Sequence, residues 1–250
     1  MQAQLEVPRK VLVVGSSSGV GLQVTKALLS AKPKFEVYAL VRNEEKTAAA
    51  IGPEASRVKF VTGDVTNPDA LQSACAGKDA VVCAVGARQG WRLPLFGLDQ
   101  QTPRKVDFEG VTHLVSAAAA ARVPRFVLIS SAAVTRPFSF IHILLNTMAG
   151  RVLHWKLLGE NYLRKTYGRD GLGYYVIRPG GLNDNEGAKA GIIMDQGDKT
   201  LGMVSRADVA AVAVGCLEGL SPDNVTFEVV NDKQNPYSDL QPLFAKLHSD

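Results

Sequence analysis

The chain has 250 residues, of which 46% are hydrophobic and 21% charged, with a formal net charge of +4. That is the balance of an ordinary folded globule, long enough to bury a core without disulfides or metals, and it excludes a disordered chain. The basic residues are dispersed, with no tract and no aromatic-interleaved patch, so nucleic acid is excluded as a partner while a small anionic ligand suits the mild positive balance.

Taken in chain order, strand and helix patterns alternate from one end to the other. Lys10–Val14 is a short β-branched run, followed by a Gly/Ser turn and an amphipathic stretch over Val20–Ser30. Phe35–Val41 predicts a second strand, Asn43–Ile51 a short Ala-rich helix, Val58–Val61 a third strand and Asp69–Ala76 another helix. Ala80–Val85 is almost wholly apolar, as a strand buried on both faces should be. A Gly/Pro/Arg loop, 86–103, leads into a long helix over Arg104–Arg122, then a strand at Phe126–Ile129. Arg151–Tyr167 predicts a helix, Tyr174–Ile177 a strand, Asp208–Leu217 a helix, Thr226–Val230 a last strand and Leu240–Leu247 a terminal helix. Such alternation implies α/β architecture, a doubly wound parallel sheet with helices on both faces. There is no internal repeat and no linker. The expectation is one domain over residues 1–250, with a nucleotide-binding core at 8–182 and a small C-terminal lobe at 183–205 that joins 86–103 and 136–150 on the substrate side.

The turn after the first strand carries the most chemistry. It reads Gly15-Ser16-Ser17-Ser18-Gly19-Val20-Gly21 between a strand and a helix, the setting that gives a glycine-rich loop its meaning. Gly15 allows the tight turn, Gly19 lets backbone approach a pyrophosphate, and Gly21 permits close helix–strand packing. The N–H groups of the helix beginning at Val20 supply partial positive charge, and Ser16, Ser17 and Ser18 add hydroxyl donors. These features point to a bound dinucleotide. An NAD-selective protein carries Asp or Glu about twenty residues past the loop. Here Arg42 stands at that strand end, and its planar fork suits a 2′-phosphate, so the cofactor expected is NADP(H); the bland alternative is a solvated surface arginine.

The spacing G-x-x-x-G-x-G resembles the short-chain dehydrogenase/reductase superfamily. Three further strings narrow the resemblance to its atypical NAD(P)H-binding Rossmann branch, which holds biliverdin/flavin reductase-like and plant plastid proteins: K-x-x-x-E at Lys156–Glu160, Arg178-Pro179-Gly180-Gly181-Leu182, and Ser205–Ala210. The resemblance implies that Asp64 takes the adenine amino group and Val65 packs on the ring, although Asp64 could equally cap the segment that follows. It sets the small-residue turn Ala84-Val85-Gly86 beside the adenosine ribose. Ser130 and Ser131 end the fifth strand, with Ser131 the polar group nearest an acceptor, and Lys156 binds the nicotinamide ribose. Arg178, Pro179, Gly180 and Gly181 hold backbone against the nicotinamide, or else form a turn with Arg178 in a buried ion pair. Ser205–Ala210 reads as a helix cap. The resemblance also suggests a chloroplast location, with the cytoplasm as the alternative.

One family feature is missing. The superfamily's Y-x-x-x-K places a proton-donating Tyr four residues before the Lys, and here that position is Val152. His154 lies about 200° around the helix from Lys156 and does not replace it. Tyr162 and Tyr167 lie further along and are not taken as donors. Lys156 and Ser131 are therefore the candidate catalytic residues of an oxidoreductase that hands hydride to an acceptor needing no dedicated donor: a quinone, a flavin or a conjugated double bond. A catalytically weak NADP(H)-binding scaffold or redox sensor acting on a protein partner is the other reading. No apolar run approaches the ~18 residues of a membrane span, so no transmembrane segment is expected, and peripheral association through 136–150 stays open. The opening residues show no signal peptide and leave a removed targeting segment open. Cys75, Cys83, Cys216 and the four histidines have no metal-ligand spacing, so no metal is expected. Monomer and homodimer are both open.

Overall fold

Four consecutive apolar residues, Val11–Val14, are buried on both sides of the first strand, and the pattern repeats in the strands beside it. The computed structural model describes residues 9–31, 34–87, 102–137, 149–168, 171–232, 234–236 and 239–250. Its strands are β1 (Arg9–Val14), β2 (Phe35–Val41), β3 (Val58–Thr62), β4 (Ala80–Cys83), β5 (Arg125–Ile129), β6 (Gly173–Pro179), β7 (Gly181–Asn183), β8 (Gly191–Asp195), β9 (Met203–Ser205) and β10 (Val225–Asp232). The helices are α1 (Gly19–Ser30), α2 (Glu44–Ile51), α3 (Pro68–Cys75), α4 (Val111–Ala120), α5 (Val152–Tyr167), α6 (Arg206–Glu218) and the short α7 (Gln241–Phe244).

The main sheet runs β3-β2-β1-β4-β5-β6-β10-β8, parallel throughout except for the antiparallel edge strand β8. Alternation along each strand feeds two cores. On one face Val11 and Val13 join Val24 and Leu28 of α1 and Val209 and Ala213 of α6. On the other, Leu12 and Val14 join Leu71 of α3, Leu114 of α4 and Leu163 of α5. The three cysteines are buried and free, and burial raises each thiol's pKa, to about 11 at Cys75 and about 12 at Cys83.

Two stretches differ from the sequence expectation. The long helix predicted over Arg104–Arg122 opens as a π-helical segment, Arg104–Gly110, before the α-helical register of α4 takes over. Such wider turns occur mostly as short pieces inserted in α-helices, often at functional sites. Gly110 ends the segment and permits its close approach to Val65, because a Cβ there would lie 2.6 Å from Val65 Cγ2. The 183–205 stretch contributes β8 to the main sheet, while β9 pairs with β7 in a separate two-stranded sheet. Short apolar pieces such as Ile192–Met194 carry too little periodicity to announce a strand by themselves. Residues 88–101 and 138–148, which hold most of the proposed lid segments 86–103 and 136–150, lie outside the described residues.

A buried ionic network ties α5 to the two adjacent strands β6 and β10. Glu160 accepts two hydrogen bonds from Arg178, Nε at 3.1 Å and Nη2 at 2.7 Å, and others from Arg164 and the Ser130 hydroxyl. The arrangement has the bidentate geometry that makes Arg–carboxylate pairs strong. Burial alone would lower the Arg178 pKa, and the Glu160 carboxylate outweighs it, so the pKa is raised. Arg178 reaches Glu228 less closely, at 3.7 Å. Burial pushes the Glu228 carboxyl up to about 7, against the pull of Arg178, with Asp198 adding to the rise.

A carboxyl with a raised folded-state pKa favours folding while both states are protonated, and that contribution is lost as pH rises from the unfolded to the folded pKa. Glu228→Gln, which imitates the protonated acid, is expected to melt with wild type below about pH 4.5 and progressively above it between pH 5 and 8. Thermal melts across that range check this. A gap that stays constant with pH would contradict it.

Candidate functional site

The strand order turns back on itself at β1, which has β2 on one side and β4 on the other. In such sheets the segments leaving the carboxyl ends of the two central strands diverge and open a crevice. A cleft of about 540 Å³ lies there, over the ends of β1, β4 and β5.

The Gly15–Val20 loop forms its floor. Gly15 has φ +98°, and a Cβ on it would lie 2.6 Å from the Ala84 carbonyl oxygen. Gly19 has φ +58°, and among the described residues a Cβ there would meet nothing closer than Arg206 Nε at 4.0 Å, which leaves open space over that turn. Ser18 is the N-cap of α1 but makes no capping bond with its side chain, and no acidic residue occupies the helix's first turn. The Ser16 hydroxyl is buried and has no hydrogen-bond partner among the described residues. A helix end with unsatisfied donors, an orphaned buried hydroxyl and room above a glycine together fit a phosphate group. Gly21 does not line the cleft. A Cβ on it would stand 2.3 Å from the Gly15 carbonyl oxygen, so it serves the close packing of α1 on β1.

At one end of the cleft Arg42 leaves β2 and faces Asp64, with Nη1 3.6 Å from Oδ2. Asp64 also accepts hydrogen bonds from the Thr66 amide (2.9 Å) and hydroxyl (2.8 Å). It braces this turn and does not cap α3, whose N-cap is Asn67, accepting from the amides of Asp69 and Ala70. Val65 lines the same end, and Ala84, Val85 and Gly86 form the wall after β4.

The other end gathers Ser130, Ser131, Val152, Lys156, Pro179 and Gly180. The Lys156 ammonium pairs with Asp107 Oδ1 at 2.8 Å, and the Asp107 side chain is fully buried. Its second oxygen accepts the Ala87 amide at 3.0 Å. Burial by itself would lower the Lys156 pKa, but the adjoining Asp107 carboxylate prevails and raises it. One turn earlier, Val152 is buried among Ala133, Val134 and Leu153, so apolar surface occupies the place of the family's proton donor. The Ser130 hydroxyl turns inward to Glu160, while that of Ser131 donates to the Ala132 carbonyl at 3.1 Å. Arg178 sits beneath the cleft in the ionic network, and neither it nor Gly181 lines the wall. Tyr162 meets Ser116, Tyr167 stacks edge-on against Phe126 in the core, and His154 lies against Trp155; none of the three reaches the cleft.

Three functional side chains were not singled out from the sequence. Asp107 sits in the π-helical segment, and Gly159 lets α5 approach it, since a Cβ there would be 3.0 Å from the Asp107 carbonyl oxygen. Asp198 accepts the amides of Ala133 (2.6 Å) and Thr135 (2.8 Å), fixing the turn that follows Ser131. Arg206, read from sequence as part of a helix cap, lines the cleft beside Gly19. For Asp107 alone a signal existed: an acid in an otherwise apolar helix face.

A family model described as NAD(P)H-binding matches residues 15–219. An uncharacterised chloroplastic protein of Arabidopsis thaliana is 33% identical over 247 residues, covering 96% of this chain and 82% of the relative. The structure of the oxidoreductase ylbE from Lactococcus lactis superposes with a TM-score of 0.74 at 24% identity, over 94% of this chain and 95% of that one. A short-chain dehydrogenase/reductase from Veillonella parvula in complex with NADP superposes with a TM-score of 0.68 at 16% identity, over 92% and 98% of the two chains. The family match runs from the first glycine of the loop to the end of α6, and the residues lining the cleft fall almost wholly within it. The chain belongs to this NAD(P)H-binding family and has a Rossmann fold.

Proposed function

We propose that this protein is an NADP(H)-dependent oxidoreductase that passes hydride to a small acceptor such as a quinone, a flavin or a conjugated double bond. The observation that carries the reading is the acceptor end of the cleft, where Lys156 is matched by the buried Asp107 and Val152 replaces a proton donor. The bound cofactor would supply the hydride. Gly15–Val20 would hold its pyrophosphate, Arg42 the 2′-phosphate, Asp64 and Val65 the adenine, and Lys156 the nicotinamide ribose. Pro179 and Gly180 would bring backbone to the nicotinamide. Ser131 is the polar group assigned to the acceptor.

The electrostatics favour an acceptor that needs no proton from the protein. An ammonium whose pKa lies above the ordinary lysine value is a poor acid near neutral pH, so Lys156 orients and balances charge without giving up its proton. Among the described residues lining the cleft there is no Tyr, His or Cys. That same absence favours the second reading, an NADP(H)-occupied scaffold or redox sensor that regulates a protein partner. The chloroplastic relative supports a plastid location under either reading.

Charge-assisted hydrogen bonds contribute about 1.5–3 kcal/mol. Arg42→Ala is therefore expected to cut the preference for NADPH over NADH by roughly 10- to 100-fold, measured as the ratio of Kd values by titration calorimetry. Unchanged selectivity would remove Arg42 from the 2′-phosphate site.

Removing Lys156 alone would leave Asp107 buried without its cation, a loss of several kcal/mol in such pairs. The double variant Lys156→Met/Asp107→Asn keeps an acceptor for the Ala87 amide and avoids that fault. It should fold, bind NADPH more weakly, and lose at least about 100-fold in kcat/KM for NADPH oxidation with quinone or flavin acceptors. Wild-type protein that binds NADPH tightly but turns over none of these acceptors would favour the scaffold instead.

A further inference from the structure

We infer that Arg206 is a pyrophosphate-binding residue, closing over the glycine-rich loop from the opposite helix. The inference rests on the cofactor reading above and extends it to a residue that the loop motif does not contain. Among the described residues lining the cleft, three carry positive charge: Arg42, Lys156 and Arg206. Lys156 is neutralised by Asp107 at one end, and Arg42 stands beside Asp64 at the other. The loop between them presents serine hydroxyls and backbone amides but no cationic side chain of its own. A pyrophosphate brings two negative charges to that loop, and among the described residues lining the cleft Arg206 is the cation beside it.

The fold explains how it arrives there. Ser205 caps α6, its hydroxyl accepting the Asp208 amide at 2.9 Å, so Arg206 opens the helix. α6 and α1 pack in the same core on one face of the sheet, and the first residues of both border the cleft. Arg206 Nε lies 4.0 Å from the point a Cβ on Gly19 would occupy, at the edge of the open space over that turn. Its Nη1 pairs at 2.8 Å with Asp184, whose carboxylate is 85% exposed. Exposed pairs of this kind contribute little, so Asp184 steadies the guanidinium without consuming its capacity for phosphate. The planar fork matches phosphate oxygens in a way a lysine does not.

The test compares Kd values for NADPH and NADH by titration calorimetry on folded variants checked by thermal melting. Arg206→Gln should weaken both nucleotides by the same factor, about tenfold. It should leave competition by adenosine 2′-monophosphate, which has no pyrophosphate, unchanged. Arg206→Lys, which keeps the charge, should recover most of the affinity, and Asp184→Asn should stay within about threefold of wild type. Unchanged affinity in Arg206→Gln would overturn the proposal. So would a loss confined to NADPH, which would move Arg206 to the 2′-phosphate, or an Asp184→Asn loss equal to that of Arg206→Gln. A wild-type protein that bound neither nucleotide would fail earlier, at the cofactor reading itself.

Discussion

Everything in the cleft depends on how closely three pieces of backbone meet where β1 ends. Gly15 lies against the Ala84 carbonyl and Gly21 against the Gly15 carbonyl, both nearer than any side-chain carbon could stand. Those two contacts bring α1 down onto β1 and seat β4 beside the turn. With the helix end held there, its unpaired amides face the crevice between diverging strands instead of bulk solvent. A larger residue at either glycine would force the helix away from the sheet and the donors away from the phosphate position.

The two ends of the cleft are electrostatically different. The Arg42 end is open, and its pair with Asp64 is loose and solvated, so the guanidinium keeps its capacity for a ligand. The Lys156 end is closed, and charge there is matched within the protein by a buried carboxylate. Behind it, the Glu160–Arg178–Glu228 network holds α5 to β6 and β10, so that Lys156 is carried on a rigid support. Asp198 does the same for the turn after Ser131. A polar frame of this kind fixes the positions of the side chains that line the cleft, as the proposed reaction would require.

The absence of a tyrosine then has a defined consequence. Val152 is packed into a small apolar cluster, and the described residues lining the cleft include no Tyr, His or Cys. Reduction of a simple carbonyl needs a proton as well as a hydride. Acceptors able to hold the added electron pair as a delocalised anion need it less urgently. On the proposed reading the chemistry open to this cleft is narrower than the full Y-x-x-x-K would allow, while the residues proposed to hold the nucleotide do not include position 152.

The amino-acid sequence by itself determined the alternating α/β order, the glycine loop, the position of Arg42 and the gap at Val152. These are local properties: each depends on backbone sterics or side-chain spacing within one turn or one helix. Asp64 and Arg178 each carried two readings at that level; the tertiary structure has Asp64 bracing its own turn while Asn67 caps α3, and sets Arg178 against two buried carboxylates. It alone decided the Lys156–Asp107 pair, the Asp198 brace and the approach of Arg206 to Gly19. Each of those joins residues far apart in the chain, brought together by strand order and helix packing. No periodicity within a single segment encodes such a meeting, because the partner's position is set by the whole sheet.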